Sequence, residues 1–339
     1  MGTKIFDLMP KKEISIAELK NKTIVIDASL YMYQFMATIR QADGSLLTDA
    51  HGEVTSHLVG LFSRSTNYME QGLKLIFCFD GKPPKLKEQE LLRRKDIKIK
   101  AKEEYEIAKE REDIELMKKY AARTSRLTPE MIAEAKELID ALGIPIIQAP
   151  SEGEAQAAFV VKNKDAYALS TNDADALLFG TPRLIKNLSI SQKKKIAGKS
   201  AYASAKPEMI ELNEALKELD INQDQLIALA MLVGTDFNHG GIKGIGPMKA
   251  LKLVKEHKDF NKLFEAAKWS EHFEYTWQEV FDTIKNMPVT KDYKLNWKAP
   301  DAKRVKALLC GRHGFNEDNV NSKLDKLKSS PQQGLGKFF

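Results

Sequence analysis

The sequence predicts an α/β fold around a parallel sheet, and three observations carry that reading. Short β-rich runs alternate with helical patterns. The runs are almost continuously apolar, as strands covered on both faces are. Each leads into acidic residues. "KTIVIDAS" contains Asp27, "LKLIFCFDG" contains Asp80, "AYALSTND" ends at Asp173, and "GIPIIQAPSEGE" runs into Glu152 and Glu154. Between them, "EVTSHLVGLFSRSTNYME" and "PEMIAEAKELIDAL" carry apolar residues at helical spacing. Ligands in open parallel sheets bind beyond the carboxyl ends of the strands, so four strands are expected to deliver carboxylates to one edge.

The segment from about Lys82 to Arg126 has helical composition without a core-facing stripe, and it reads as an excursion over that edge. "SQKKKIAGKSAYASAK" reads as a hairpin or loop with a second basic spot. From about Pro207 the pattern reads as helical: "PEMIELNEALKELD", "NQDQLIALAMLVGTD" and "GPMKALKLVKEH". After about Lys323 the chain reads as a flexible tail.

Composition removes several classes. The 339 residues, 43% hydrophobic and 29% charged, suit a globular protein with a sizeable core. No apolar run is long enough for a transmembrane helix, and "MGTKIFDLMPKK" lacks the apolar stretch of a signal peptide. Phe6 breaks the myristoylation pattern. Cys78, inside "LIFCF", reads as a reduced core thiol, and the six histidines are scattered rather than spaced for zinc.

The net charge of +6 is local. Lys82 to Lys102 holds nine basic and three acidic residues, a net of +6 that equals the excess of the whole chain. Such a local field attracts phosphates. The mixed-sign half that follows, Glu103 to Arg126, reads rather as a solvated helical face.

Seven carboxylates are site candidates: Asp27, Asp80, Glu152, Glu154, Asp173, Asp175 and Asp236. Each alone has a plainer reading. Ser151 and Glu154 have the spacing of a capping box, and Asp27 and Asp80 suit turns after strands. Together they would repel one another at one sheet edge and raise each other's pKa. Cations relieve that repulsion. Oxygen ligands without His or Cys suit Mg²⁺ or Mn²⁺, and a pair of such ions suits in-line phosphoryl displacement.

"GGIKGIGPMKA" is a second signal. Gly241, Gly244 and Gly246 make a tight hairpin between two helices, able to approach a phosphate backbone. Pro247 suits a first helical turn, Lys249 lies within that turn, and backbone N–H groups at a helix N-terminus accept an anion. This reads phosphates rather than bases. At the far end, "QQGLGKFF" has Gln332, Leu335, Phe338 and Phe339 at Gln-x-x-aliphatic-x-x-aromatic-aromatic spacing, which resembles a sliding-clamp-docking motif; one helical turn would group the apolar three.

Taken together, the chain closely resembles the flap endonucleases, the structure-specific 5′ nucleases of DNA replication. The similarity runs in family order through "VIDAS", "YQF", "TSHLVG", "FDGKPP", "EGEAQAA", "DADALLFG", "LVGTDF" and "GIKGIGP". The resemblance implies a PIN-like parallel-sheet nuclease core in one domain over residues 1–322. It implies a helical arch over 82–127, a helix–hairpin–helix element over 225–260, commonly with K⁺, and a clamp-binding tail over 323–339. It implies two Mg²⁺ ions on the seven carboxylates, with Glu154, Asp173, Asp175 and Asp236 mainly on one and Asp27, Asp80 and Glu152 mainly on the other. Lys87 and Arg94 match basic residues aimed at the scissile phosphodiester. Tyr33 matches an aromatic that stacks on a base, and Arg40 and the N-terminal Gly2 match DNA contacts.

The implied activity is 5′ flap cleavage at the single-strand/duplex junction, in lagging-strand maturation and repair. The implied partners are flap or nicked duplex DNA, read without sequence preference, and the clamp. A monomeric, cytoplasmic, archaeal-type protein is expected, since the basic extension of eukaryotic relatives is missing. Ala174 stands where the family often has a bulkier residue, and Gly153 where alanine is more usual. Two rival readings are a catalytically silent DNA-junction binder and a PIN-type ribonuclease. The first would have lost acidic ligands, all of which are present here; the second lacks the arch, the glycine hairpin and the tail.

Overall fold

The computed structural model describes residues 4–111, 113–189, 193–195, 202–204 and 206–329. Nine strands are present among them: β1 (Lys12–Glu13), β2 (Thr23–Asp27), β3 (Lys74–Phe79), β4 (Ile146–Gln148), β5 (Ala168–Ser170), β6 (Arg183–Lys186), β7 (Lys193–Lys195), β8 (Tyr202–Ser204) and β9 (Glu208–Glu211). The helices are α1 (Ala28–Thr38), α2 (Ser56–Glu70), α3 (Glu88–Glu110), α4 (Ile114–Thr124), α5 (Pro129–Ala141), α6 (Gly153–Lys162), α7 (Asp175–Leu178), α8 (Leu212–Leu219), α9 (Gln223–Val233), α10 (Pro247–Glu256), α11 (Phe260–Ala266), α12 (Trp277–Lys285), α13 (Ala302–Lys306) and α14 (Glu317–Ser329).

Seven strands form one sheet in the order β1-β9-β6-β5-β2-β3-β4. The stretch β6-β5-β2-β3-β4 is parallel throughout, and β9 pairs antiparallel with both β6 and β1. From β2 the chain winds outward through β3 and β4, then returns to place β5 on the other side of β2. The order therefore reverses between β2 and β5, and that switch point is where an open α/β sheet leaves a crevice.

Side chains of successive strand residues point to opposite faces. Val25, Ile76, Cys78, Ile147 and Leu169 enter one core, with α6, α9 and α12. Ile24, Ile26, Leu75, Phe77 and Ala168 enter the other, with α1, α2, α5 and α14. Burial on both faces is why these runs carry no polar alternation. Each Ile or Val so buried contributes about 1.5–3 kcal/mol. Cys78 is a buried free thiol whose Sγ donates to Gly153 O at 3.2 Å.

Two expectations need correction. Glu208–Glu211, read as helical, is strand β9, which closes the sheet edge and buries Met209 and Ile210. The tail expected from Lys323 begins instead with helix: α14 runs to Ser329 and buries Val320, Leu324 and Leu327 against α2. The excursion over 82–127 is a helical hairpin in which α3 and α4 pack on one another. Its apolar side chains Leu91, Leu92, Ile97, Ile99 and Ile107 stay exposed, as the missing core stripe implied. The basic segment includes a two-stranded hairpin, β7 with β8. No described helix is long and apolar enough to cross a membrane.

Candidate active site

The acidic residues gather at the carboxyl ends of the central strands. Asp27 closes β2 and caps α1, its Oδ1 accepting from Leu30 N–H at 3.0 Å. Asp80 follows β3, and its Oδ1 accepts from Gly153 N–H at 2.7 Å, so one strand end pins the start of α6. Glu152 is the N-cap residue of α6, without the capping box that Ser151 and Glu154 suggested. Glu154 lies in the first turn. Asp173 follows β5, and its Oδ1 accepts from Asp175 N–H at 3.1 Å. Asp236 arrives from outside the sheet, just beyond α9.

Thr171, which sequence reasoning passed over, ties the group together. Its hydroxyl lies 2.8 Å from Glu154 Oε1 and 3.2 Å from Asp27 Oδ2, and its oxygen accepts from Asp173 N–H at 3.1 Å. Only its place directly after β5, two residues ahead of Asp173, hinted at this.

The electrostatics are strained in one direction. Burial, then the charges of Asp80 and Asp173, push Asp27 up to about 7. Burial and the carboxylates of Asp173, Asp27 and Asp175 lift Glu154 well above the usual range. Burial raises Asp173, and burial with the charges of Asp80 and Asp236 raises Glu152 despite the pairing with Lys87.

Two cations from the base of α3 answer that charge. Lys87 Nζ pairs with Glu152 Oε2 and lies 3.4 Å from Asp236 Oδ2. Arg94 Nη2 donates to Asp236 Oδ1 at 2.6 Å. Burial works against both charges, but Glu152, Asp236 and Asp80 outweigh it for Lys87, as Asp236 and Glu90 do for Arg94. Among the described residues, no three His, Cys, Asp or Glu side chains stand close enough to clasp one ion as they are. The donor chemistry nonetheless fits hard divalent cations: oxygen ligands alone, buried, repelling one another, and short of positive charge.

The two departures from the family pattern acquire physical content here. A Cβ on Gly153 would lie 2.7 Å from Asp80 Oδ1, so glycine leaves that carboxylate its position. Ala174 is buried.

The remaining candidates divide. Tyr33 is 39% exposed, with Lys98 Nζ 4.8 Å from its ring centroid, so one face of the ring is covered by a cation. Arg40 is engaged within the protein, donating to Gly44 O at 2.7 Å and to Ser125 Oγ at 2.6 Å, which joins the loop after α1 to the end of α4.

The glycine hairpin joins α9 to α10. Gly246 is the N-cap residue of α10 and Pro247 its first residue. Gly241 has φ +58°, and a Cβ there would meet Val233 C at 2.3 Å, so only glycine fits. Gly244 has φ +81° with open space around it, and Lys249 Nζ reaches back to its carbonyl at 3.5 Å. The turn before the hairpin rests on a buried network that sequence reasoning also missed. Asn238 Oδ1 accepts from Thr235 Oγ1 at 2.7 Å, and Asn238 Nδ2 donates to Met231 O at 2.6 Å. Gly2, Gln332, Leu335, Phe338 and Phe339 lie outside the described residues.

Comparison with known proteins fits this layout. The XPG N-terminal domain model covers residues 4–101, and the XPG I-region model covers 143–236, a span that contains Glu152, Glu154, Asp173, Asp175 and Asp236. Flap endonuclease 1 of Thermococcus onnurineus is 48% identical over 334 residues, covering 98% of this chain and 96% of its own. The chain belongs to the flap endonuclease family. A second family member, flap endonuclease 1 of Pyrococcus furiosus, is 46% identical over 98% of this chain and 97% of its own. Among solved structures, flap endonuclease-1 from Methanococcus jannaschii superposes with a TM-score of 0.75 at 39% identity, covering 96% of this chain and 98% of that one. The catalytic core of Rad2 in complex with DNA substrate shares the fold, with a TM-score of 0.70 at 24% identity over 96% of this chain and all of that one.

Proposed function

We propose that the protein is a structure-specific 5′ flap endonuclease that hydrolyses one phosphodiester at the junction of single strand and duplex. The observation that carries this reading is a set of acidic side chains at the sheet's switch point with Lys87 and Arg94 reaching in among them.

Glu154, Asp173, Asp175 and Asp236 would hold one divalent cation and Asp27, Asp80 and Glu152 the other, with Mg²⁺ as the natural ion and Mn²⁺ able to replace it. Asp27 and Glu154, on opposite sides of that division, share the Thr171 hydroxyl, so the two sets adjoin there. When bound, such ions polarise the phosphodiester and make a water acidic enough to attack at neutral pH. The chain's own part is positioning and charge. Asp80 anchors the start of α6 and hence Glu152 and Glu154. Lys87, in the turn before α3, and Arg94, on α3, are held at the acidic cluster, where they would stabilise the charge that develops on the phosphate. Tyr33 offers a ring face to a base.

Duplex is gripped through phosphates at the Gly241–Gly246 hairpin and the N-terminus of α10, a site that would also suit K⁺. This makes binding independent of sequence. Gln332, Leu335, Phe338 and Phe339 dock the enzyme, as a monomer, on a sliding clamp. Burial of about 1.5–3 kcal/mol per apolar anchor against about 2–5 kcal/mol for ordering the tail gives an affinity suited to exchange. These properties would suit a role in lagging-strand maturation and repair in the cytoplasm.

The test is cleavage of a labelled 5′ flap DNA beside an RNA hairpin, in Mg²⁺ and in EDTA, by the wild type and Asp175→Asn. Wild type should cut only the flap and only with the metal. Asp175→Asn should lose several factors of ten, each worth about 1.4 kcal/mol of barrier, while flap binding in Ca²⁺ stays near wild type. A normal rate for Asp175→Asn would overturn the assignment of that carboxylate.

A further inference from the structure

Outside the seven carboxylates, Glu90 is the buried acid that touches their cationic partners. It lies in the first turn of α3 with only 3% of its side chain exposed, on a helix that is otherwise mostly solvent-facing. Its two oxygens are fully used. Oε1 accepts from Arg94 Nε at 2.6 Å and from Arg93 Nη2 at 2.8 Å. Oε2 accepts from Arg93 Nε at 2.6 Å and lies 3.2 Å from His239 Nδ1. Arg94 is thus held at both ends of its guanidinium, by Glu90 through Nε and by Asp236 through Nη2.

His239 belongs to the turn that leads into the glycine hairpin, one residue beyond the Thr235–Asn238 network. One carboxylate therefore touches the cation at the acidic cluster, the adjacent arginine and the approach to the duplex-binding hairpin. Burial disfavours the Glu90 charge, yet the hydrogen bonds from Arg93 and Arg94 overcome it and draw the carboxyl down to about 2.

We propose that Glu90 is a positioning residue for the cleavage step: its buried carboxylate sets the direction of the Arg94 guanidinium and ties the base of α3 to the loop that carries His239. This rests on the role of Arg94 proposed above. A lone Arg94 on an exposed helix would sample many rotamers; its single hydrogen bonds to Glu90 through Nε and to Asp236 through Nη2 remove most of that freedom, while the two-bond fork of Arg93 holds Glu90 itself in place. Glu90 itself reaches no substrate; it acts through Arg94. The tie to His239 makes the placement of Arg94 depend on where the hairpin approach sits, so duplex engagement and the readiness of Arg94 are linked through one side chain.

The experiment is single-turnover cleavage of a labelled 5′ flap DNA in Mg²⁺ by Glu90→Gln, Glu90→Asp, Arg94→Ala and Glu90→Gln/Arg94→Ala, with flap binding measured in Ca²⁺ and thermal unfolding of each variant. Glutamine keeps the shape but loses the charge that orders the two arginines. A misplacement on the order of 1 Å costs roughly 10²-fold in rate, so Glu90→Gln should fall by about that factor with binding changed less than about threefold. Glu90→Asp, which keeps the charge, should recover most of the loss. In the Arg94→Ala background the glutamine change should cost little more, because contacting residues that act as a unit are not additive.

An equal loss from Glu90→Gln with and without Arg94 would overturn the proposal, as would a wild-type rate or a loss confined to binding. Arg94→Ala alone tests the underlying reading: a wild-type rate there removes the role of Arg94 itself. Should Glu90→Gln melt early, the four rates are compared at a temperature below the unfolding midpoint of every variant, where the same cycle decides.

Discussion

Replacing Asp27 with Asn should make the metal-free protein more stable while abolishing cleavage. The Asp27 carboxyl moves from an ordinary 3.8 to about 7, by burial and then by the charges of Asp80 and Asp173. Its folded-state pKa lies above its unfolded one, so ionisation opposes folding. The penalty is absent below about pH 4, grows as pH rises towards 7 and is complete above that. Three units correspond to about 4 kcal/mol.

Asn keeps the side-chain oxygen that caps Leu30 N–H, since Asn and Asp are equally good N-caps. The bond from Thr171 to the charged carboxylate is already contained in that shift, so Asn gives up at most one neutral hydrogen bond there, about 0.5–1.5 kcal/mol. A net gain of roughly 2.5–3.5 kcal/mol near pH 8 remains, or about 5–7 °C in Tm at 2 °C per kcal/mol for a large domain. Thermal unfolding in EDTA at about pH 8 and pH 4.5 measures it. The gain should be large at the higher pH and mostly gone at the lower. Mg²⁺ should raise the wild-type Tm more than the variant's. An unchanged or lower Tm at pH 8, or the same gain at both pH values, would refute the charge-crowding account.

Two further outcomes are expected. Gly241→Ala combines a positive φ with a Cβ lying 2.3 Å from the Val233 carbonyl carbon. It should lower Tm and duplex binding by anisotropy well beyond Gly244→Ala, whose site is open and costs only the ~1–2 kcal/mol of a left-handed residue; equal effects would sink the close-approach explanation. Replacing Phe338 and Phe339 together with Ala should abolish binding to the cognate clamp in calorimetry and leave clamp-free flap cleavage unchanged, and undiminished clamp binding would rule out the docking role.

The parallel strands and their terminal acids were legible because both chemistry and burial act on consecutive residues. Ile24, Val25 and Ile26 must all be apolar when both sheet faces are covered, and Asp27 must follow where the strand emerges. Strand β9 was hidden because "PEMIELNEALKEL" fits a helical period through its whole length, and only pairing with β6 decides the first part. Helix α14 was hidden by its charge: three buried apolar residues, Val320, Leu324 and Leu327, sit at helical spacing among lysines and acids. Thr171 and Asn238 act through a hydroxyl and an amide of common types, and spacing carries no trace of that. The pairs of Glu90 with Arg93 and Arg94 do have helical spacing, but they lie in a charged segment without a core-facing stripe; the burial of Glu90 and its contact with His239 are tertiary. The insertion of Lys87 and Arg94 among the acids is likewise tertiary: 142 positions separate Arg94 from Asp236.

The short turn that carries Asp236 has a metrical consequence. Five positions separate Asp236 from Gly241, and the turn between them is braced by Asn238 bonded to Thr235 and to Met231 O. If duplex is held at the hairpin and cut beside Asp236, as proposed, the distance between grip and incision is set by this braced span of backbone rather than by the flap.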